Sequence, residues 1–131
     1  MRVERLLIIG LCTLVVFPML VSLASAHHST AGMDNKTELS LRGVVTQYVW
    51  RNPHVVVQWD VKDETGKVVR WTGQLSSPTT MMQSGMNRES LKIGDEVVIG
   101  VNPSKTGEPQ CVIRTIKDAA GKVILSRLTP E

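Results

Sequence analysis

The sequence predicts an all-β domain, a small OB-like barrel of five to six strands preceded by a cleavable signal peptide. Three observations lead there. Leu39–Trp50 is a long β-prone run, and Val55–Val61 and Val68–Leu75 place their apolar residues on one side, the two-residue period of half-buried strands. A short helix-like segment after Leu75 separates these three strands from two or three more. Finally, residues 1–26 have the composition of an export signal. Three strands, a helical connector and closing strands follow the order of an OB-like barrel. A small β-sandwich is the competing architecture, and it needs more strands than the chain offers.

The chain of 131 residues opens with Arg2 and Arg5, then runs almost wholly apolar from Leu6 to Leu23, with Pro18 inside the run. Ala24-Ser25-Ala26 supplies the small-residue cleavage pattern, so the mature chain is expected to begin at His27 in the periplasm or outside the cell. An uncleaved signal anchor is the alternative. Residues 27–38 form an N-terminal arm, polar and irregular, with Gly32, Asp34 and Asn35. The barrel domain is expected over 39–131.

Within that domain, Leu39–Trp50 is β-prone and interrupted by Gly43, where a bulge or a bend fits. Arg51-Asn52-Pro53-His54 reads as a turn. Val55, Val57, Trp59 and Val61 share one face of the next strand, and Asp63-Glu64-Thr65-Gly66-Lys67 makes a hairpin loop. Val69, Trp71 and Leu75 share one side of the third strand. Trp59 and Trp71 are read as core. Ser77 is placed as a helix N-cap with Pro78 at the first helical position, and Gly85 ends the helix. Leu91-Lys92-Ile93-Gly94-Asp95 turns into the strand Glu96–Val101. Asn102–Pro109 is expected as loop, Gln110–Lys117 as strand, Asp118–Gly121 as turn and Lys122–Leu128 as a final strand.

Charge and cysteine content narrow the function. The formal net charge of +3 is scattered singly along the chain, and one unit of it belongs to the signal. No basic cluster points to nucleic acid or an anionic membrane surface. Cys12 lies in the signal, so Cys111 is left alone in the mature chain, inside the apolar run Cys111-Val112-Ile113, and burial is its expected fate. Hydrolase, zinc-protease, dithiol and phosphate-loop motifs are all absent, so no enzyme is expected.

The chemistry concentrates in the histidines. All three, His27, His28 and His54, fall at the mature N-terminus or in the Asn-Pro-His turn. A leading histidine offers its α-amine and its ring Nδ1 to one metal ion, and nitrogen donors of this kind suit copper(II). His54 would add a third nitrogen in a T-shaped plane, provided the arm folds back. The ten residues 29–38 permit this, since they span up to roughly 33 Å. In a competing geometry the amine, the His28 amide and the His28 ring chelate copper without help from the fold. Tyr48, Asp34 or Met33 could add an axial or outer contact. Met82 and Met86, four apart on the short helix, are read more readily as core filler. Candidates for a binding groove are Trp50 beside the turn, Asn52 within it, and Gln74 on the third strand.

Together, Ala26-His27-His28-Ser29, Leu41-Arg42-Gly43-Val44-Val45, Trp50-Arg51-Asn52-Pro53-His54 and Leu91-Lys92-x-Gly94-Asp95-x-Val97 resemble a family of small exported bacterial proteins labelled only as a domain of unknown function. The resemblance spans the mature chain and implies a signal peptide and a compact β-rich domain. It implies no activity. Gln74 stands where that family pattern suggests glutamate, and Met86 where it suggests tryptophan.

Three functions therefore compete. The first is copper(II) binding through His27 and His54, with His28 as alternative ligand, for storage, delivery or tolerance. The second is a metal-free module whose barrel groove takes a small molecule, a glycan or a protein partner. The third is a copper-dependent oxidase, disfavoured by the few aromatic residues available to hold a polymeric substrate.

Overall fold

The computed structural model describes residues 32–126; the proposed signal, His27, His28 and Leu128 lie outside them. Six strands and one helix follow in order: β1 Leu39–Val49, β2 Val56–Lys62, β3 Val68–Gln74, α1 Pro78–Gln83, β4 Glu96–Pro103, β5 Gln110–Asp118 and β6 Val123–Ser126. The sheet order is β3-β2-β1-β4-β5-β6, and parallel pairing of β3 with β5 closes five strands into a barrel with β6 outside. This is the OB-like order expected from the sequence, with a sixth strand appended.

A β1 of eleven residues serves two partners. Its first half pairs antiparallel with β4, from Leu39↔Val101 to Val44↔Glu96, and its second half with β2, from Val44↔Asp60 to Val49↔Val56. The exchange of partners falls at Gly43 and Val44. A side chain at Gly43 would place its Cβ 2.3 Å from the Asp60 carbonyl oxygen and 2.8 Å from Trp59 Cδ1. Glycine there permits a close approach of the two strands. The bulge itself lies further on, between Val45 and Gln47.

The core lines the barrel interior: Val45, Val57, Trp59, Val97, Ile99, Val101, Ile113 and Ile116 are each at most 1% exposed. Trp59 faces Trp71 across β2 and β3 with ring centroids 6.3 Å apart. Trp71 is only half-buried, so it packs against the core rather than inside it. The connector adds Met81, Met86 and Leu91 to the core. Ser77 caps α1 by accepting a hydrogen bond from Thr80 N, and Met81 is fully buried. The helix stops at Gln83, so Met82 and Met86 do not share a helical face. Met82 is exposed, while Met86 enters the core from the following turn.

One stretch expected as loop is strand. β4 continues through Asn102 and Pro103, which pair with Val112 and Cys111. Proline is tolerated because it terminates the strand and gives only its carbonyl. The arm meets the barrel here. Asp34 N donates to Pro103 O over 2.8 Å, Lys105 N donates to Gly32 O over 2.9 Å, and Met33 bridges to Ser104. The arm is therefore partly strand-like where irregular chain was expected.

Candidate functional site

His54 sits just before β2, half-buried, with core residue Val55 as its neighbour. Val55, Val57 and Trp59 point inward, so the alternation puts His54 and Val56 on the outer face. The ring is oriented by β3: His54 Nδ1 lies 3.2 Å from the Leu75 carbonyl oxygen. A carbonyl only accepts, so this bond places the proton on Nδ1. Nε2 has no partner among the described residues. A histidine whose second ring nitrogen is tied to a backbone carbonyl has the arrangement typical of a metal ligand. The Asn52–Pro53 peptide preceding it is cis, and Asn52 is exposed in that turn.

A cavity of about 270 Å³ is lined by Met33, Val56, Thr72, Gln74, Gln110 and Cys111; His54 is not among its lining residues but precedes Val56 by two positions. Topology explains the grouping. Gln74 pairs with Val56 in β2 and with Val112 in β5, so the seam of the barrel passes through it. Met33 reaches this seam from the docked arm. Cys111 is 2% exposed, its Sγ approaches Thr72 O at 3.7 Å, and burial pushes its thiol up to about 12. It is a protonated, inert thiol at neutral pH, as its apolar surroundings in sequence implied.

The remaining candidates fall elsewhere. Asp34 spends its carboxylate inside the arm, accepting from Lys36 N at 2.9 Å and from the Thr37 hydroxyl. The Thr37 bond is the main reason its carboxyl is held below the usual range. Tyr48 donates its hydroxyl to Asn87 O over 2.8 Å, and burial pushes its phenol up. Its ring meets Trp50 edge-on at 5.9 Å. Trp50 lines a separate hollow of about 340 Å³ with Met82, Asn87, Arg88 and Glu89, and its carbonyl accepts from Arg88 Nη1 at 3.2 Å. The three groove candidates thus divide: Gln74 belongs to the cavity under Met33, Trp50 to the hollow beside α1, and Asn52 to the turn between.

A larger hollow of about 660 Å³ lies at the other end of β4 and β5, lined in part by Asp95, Glu96, Asp118 and Lys122. Asp95 and Asp118 are committed to turns there, accepting from Lys92 N, Ala120 N and Lys122 N. Among the described residues no group of three or more His, Cys, Asp or Glu side chains is placed to hold a metal ion. No described helix is long and apolar enough to cross a membrane.

Sequence reasoning missed Gln110, Thr72 and the arm's anchorage. The parallel β3–β5 seam that gathers the first two leaves no local mark. The anchorage had one cue, the polar Asn102 closing the apolar strand Glu96–Val101.

Comparison with known proteins gives a family and nothing finer. Residues 17–113 match a family of unknown function, DUF6152. No curated protein matches, and no solved structure matches.

Proposed function

The chain belongs to the DUF6152 family, and from that premise we propose an exported, non-enzymatic β-barrel protein that binds copper(II) for storage, delivery or tolerance. The ligands are the α-amine and Nδ1 of His27, exposed by cleavage after Ala26, together with Nε2 of His54. Met33 is the candidate for a weak axial contact, and His28 is the alternative ligand should the terminus chelate alone.

The observation that carries this reading is the presentation of His54, with Nδ1 tied to the Leu75 carbonyl and Nε2 without a partner among the described residues. The arm supports it. Met33 shares a cavity with Val56, and His54 lies two strand positions before Val56, about 7 Å along the chain. Met33 lies six positions after His27, a reach of about 20 Å. The leading histidine is thus within range of His54 without any rearrangement of the barrel.

The test uses protein exported and processed in a bacterial host, with its first residue verified as His27 by mass spectrometry. It is expected to bind one copper(II). One extra residue before His27, or His54→Ala, should each weaken binding by tenfold or more, about 1.4 kcal/mol. Equal affinity in all three proteins would refute the shared site. A loss on extension alone would leave the peptide-like chelate of His28.

The cavity under Met33 favours one other reading. Thr72, Gln74 and Gln110 offer neutral donors and acceptors between apolar walls, as a small uncharged ligand would require. That reading predicts ligand binding sensitive to Gln74→Ala and indifferent to His54→Ala.

A further inference from the structure

The connector between β3 and β4 carries three methionines and places one of them apart from the others. Met81 is 0% exposed and Met86 is 1% exposed, whereas Met82 is 57% exposed. Helix geometry produces the contrast. Neighbouring helical positions are turned by about 100°, so a helix that aims Met81 at the core carries Met82 away from it. The helix ends at Gln83, and Gly85, at φ 85°, redirects the chain so that Met86 enters the core.

Met82 lines the hollow of about 340 Å³ together with Trp50, Asn87, Arg88 and Glu89. The other walls of that hollow are held in place. Tyr48 donates to Asn87 O and meets Trp50 edge-on, and Asn87 Oδ1 accepts from Glu89 N. Arg88 gives Nη1 to the Trp50 carbonyl over 3.2 Å, and its guanidinium has no other partner among the described residues.

We propose that Met82 is a modification site, oxidised to sulfoxide by hydroperoxides ahead of the other described methionines. The Arg88 guanidinium then holds the new oxygen. In the reaction the sulfur lone pair attacks a peroxide oxygen, and the S–O bond forms as the O–O bond breaks. Sulfur is oxidised by two electrons, and the peroxide is reduced by two and leaves as water or an alcohol. The attack needs a thioether within reach of solvent, which spares Met81 and Met86. Cys111 is spared as well, being 2% exposed, since thiols react as thiolates. Oxidation turns an apolar side chain into a polar one, whose oxygen accepts hydrogen bonds beside a guanidinium with N–H groups to give. Copper plays no part in this chemistry, so it stands or falls apart from the metal reading.

The metal-free protein, kept with a chelator, is treated with dilute hydrogen peroxide, and its peptides are followed by mass spectrometry for one added oxygen. Met82 is expected to oxidise about tenfold or more faster than Met81 and Met86, and ahead of the half-buried Met33. In urea the rates should converge, because the difference belongs to the fold. Met82→Leu, at an exposed position, should remove the early oxygen uptake. Heteronuclear NMR reads the second step: the Arg88 side-chain N–H signals should move on oxidation, and should stay still in peroxide-treated Met82→Leu. Equal native rates at Met81, Met82 and Met86, or earlier oxidation of Met33, overturn the site. Oxidation of Met82 with unmoved Arg88 signals overturns the role given to Arg88.

Discussion

Replacing Gly43 by alanine tests the crossing on which the barrel, and with it the placement of His54, depends. The added Cβ would lie 2.3 Å from Asp60 O and 2.8 Å from Trp59 Cδ1, well inside ordinary contact. Neither neighbour can yield cheaply. Asp60 O is backbone in the β1–β2 ladder, and Trp59 is fully buried. The strands must spread by about 1 Å, which overpacks the core at a cost of about 1–3 kcal/mol. The pairs Val44↔Asp60 and Val45↔Trp59 lengthen as well, and each weakened ladder bond loses up to about 1 kcal/mol. The total is about 2–4 kcal/mol, a large share of the stability of a domain this size. At about 4–8 °C per kcal/mol, Tm should fall by about 10–25 °C. Thermal unfolding followed by far-ultraviolet circular dichroism and tryptophan fluorescence measures it. A Tm within about 3 °C of the parent would show that β1 crosses β2 with more room than described, and the argument from Gly43 would fail.

Three further outcomes follow from Cys111 and Ser77. Cys111, pushed up to about 12 by burial, should resist thiol reagents at pH 8 in the native protein and react fully in denaturant. Folding holds its proton more tightly than the unfolded chain does. Its contribution to stability is therefore complete below the ordinary thiol range and declines as pH rises towards 12. The difference in urea midpoint between the parent and Cys111→Ala should narrow between pH 8 and pH 11, roughly the window set by the two thiol values, and a constant difference would contradict the shift. Ser77→Ala removes the oxygen that accepts from Thr80 N and should cost about 1 kcal/mol by urea denaturation. Mixed effects on copper affinity would be surprising, because Ser77 touches none of the proposed ligands.

Strands were legible in the sequence because each buries one face. Val55, Val57 and Trp59 show their alternation locally, and the observed burial follows it residue by residue. The helix start was legible for a different reason, since Ser77 and Pro78 carry out chemistry specific to a helix end. What stayed hidden was long-range. The bulge near Thr46 answers to the register between β1 and β2, and no residue type marks it. Extension of β4 through Pro103 was masked because Asn and Pro favour loops on their own, while pairing with β5 and anchorage of Thr37 override that preference. At the site, the histidines stood out by position alone. The fixing of the His54 tautomer by Leu75, 21 residues away, could come only from the paired strands.

The seam explains why these features gather at one end of the barrel. β3 meets β5 through three residue pairs, Thr72↔Gln110 to Gln74↔Val112, whereas β2 meets β3 through seven. Parallel pairing is also slightly weaker per residue. The closing seam is therefore the least secured join in the barrel, and Cys111 lies along it. Met33 covers this join from outside, carried there by the arm that Pro103, Lys105 and Asn102 hold. The arm thus has a structural reason to dock that is independent of any metal. In the proposed reading, the copper site would draw on this arm and on His54 and would ask nothing of the core.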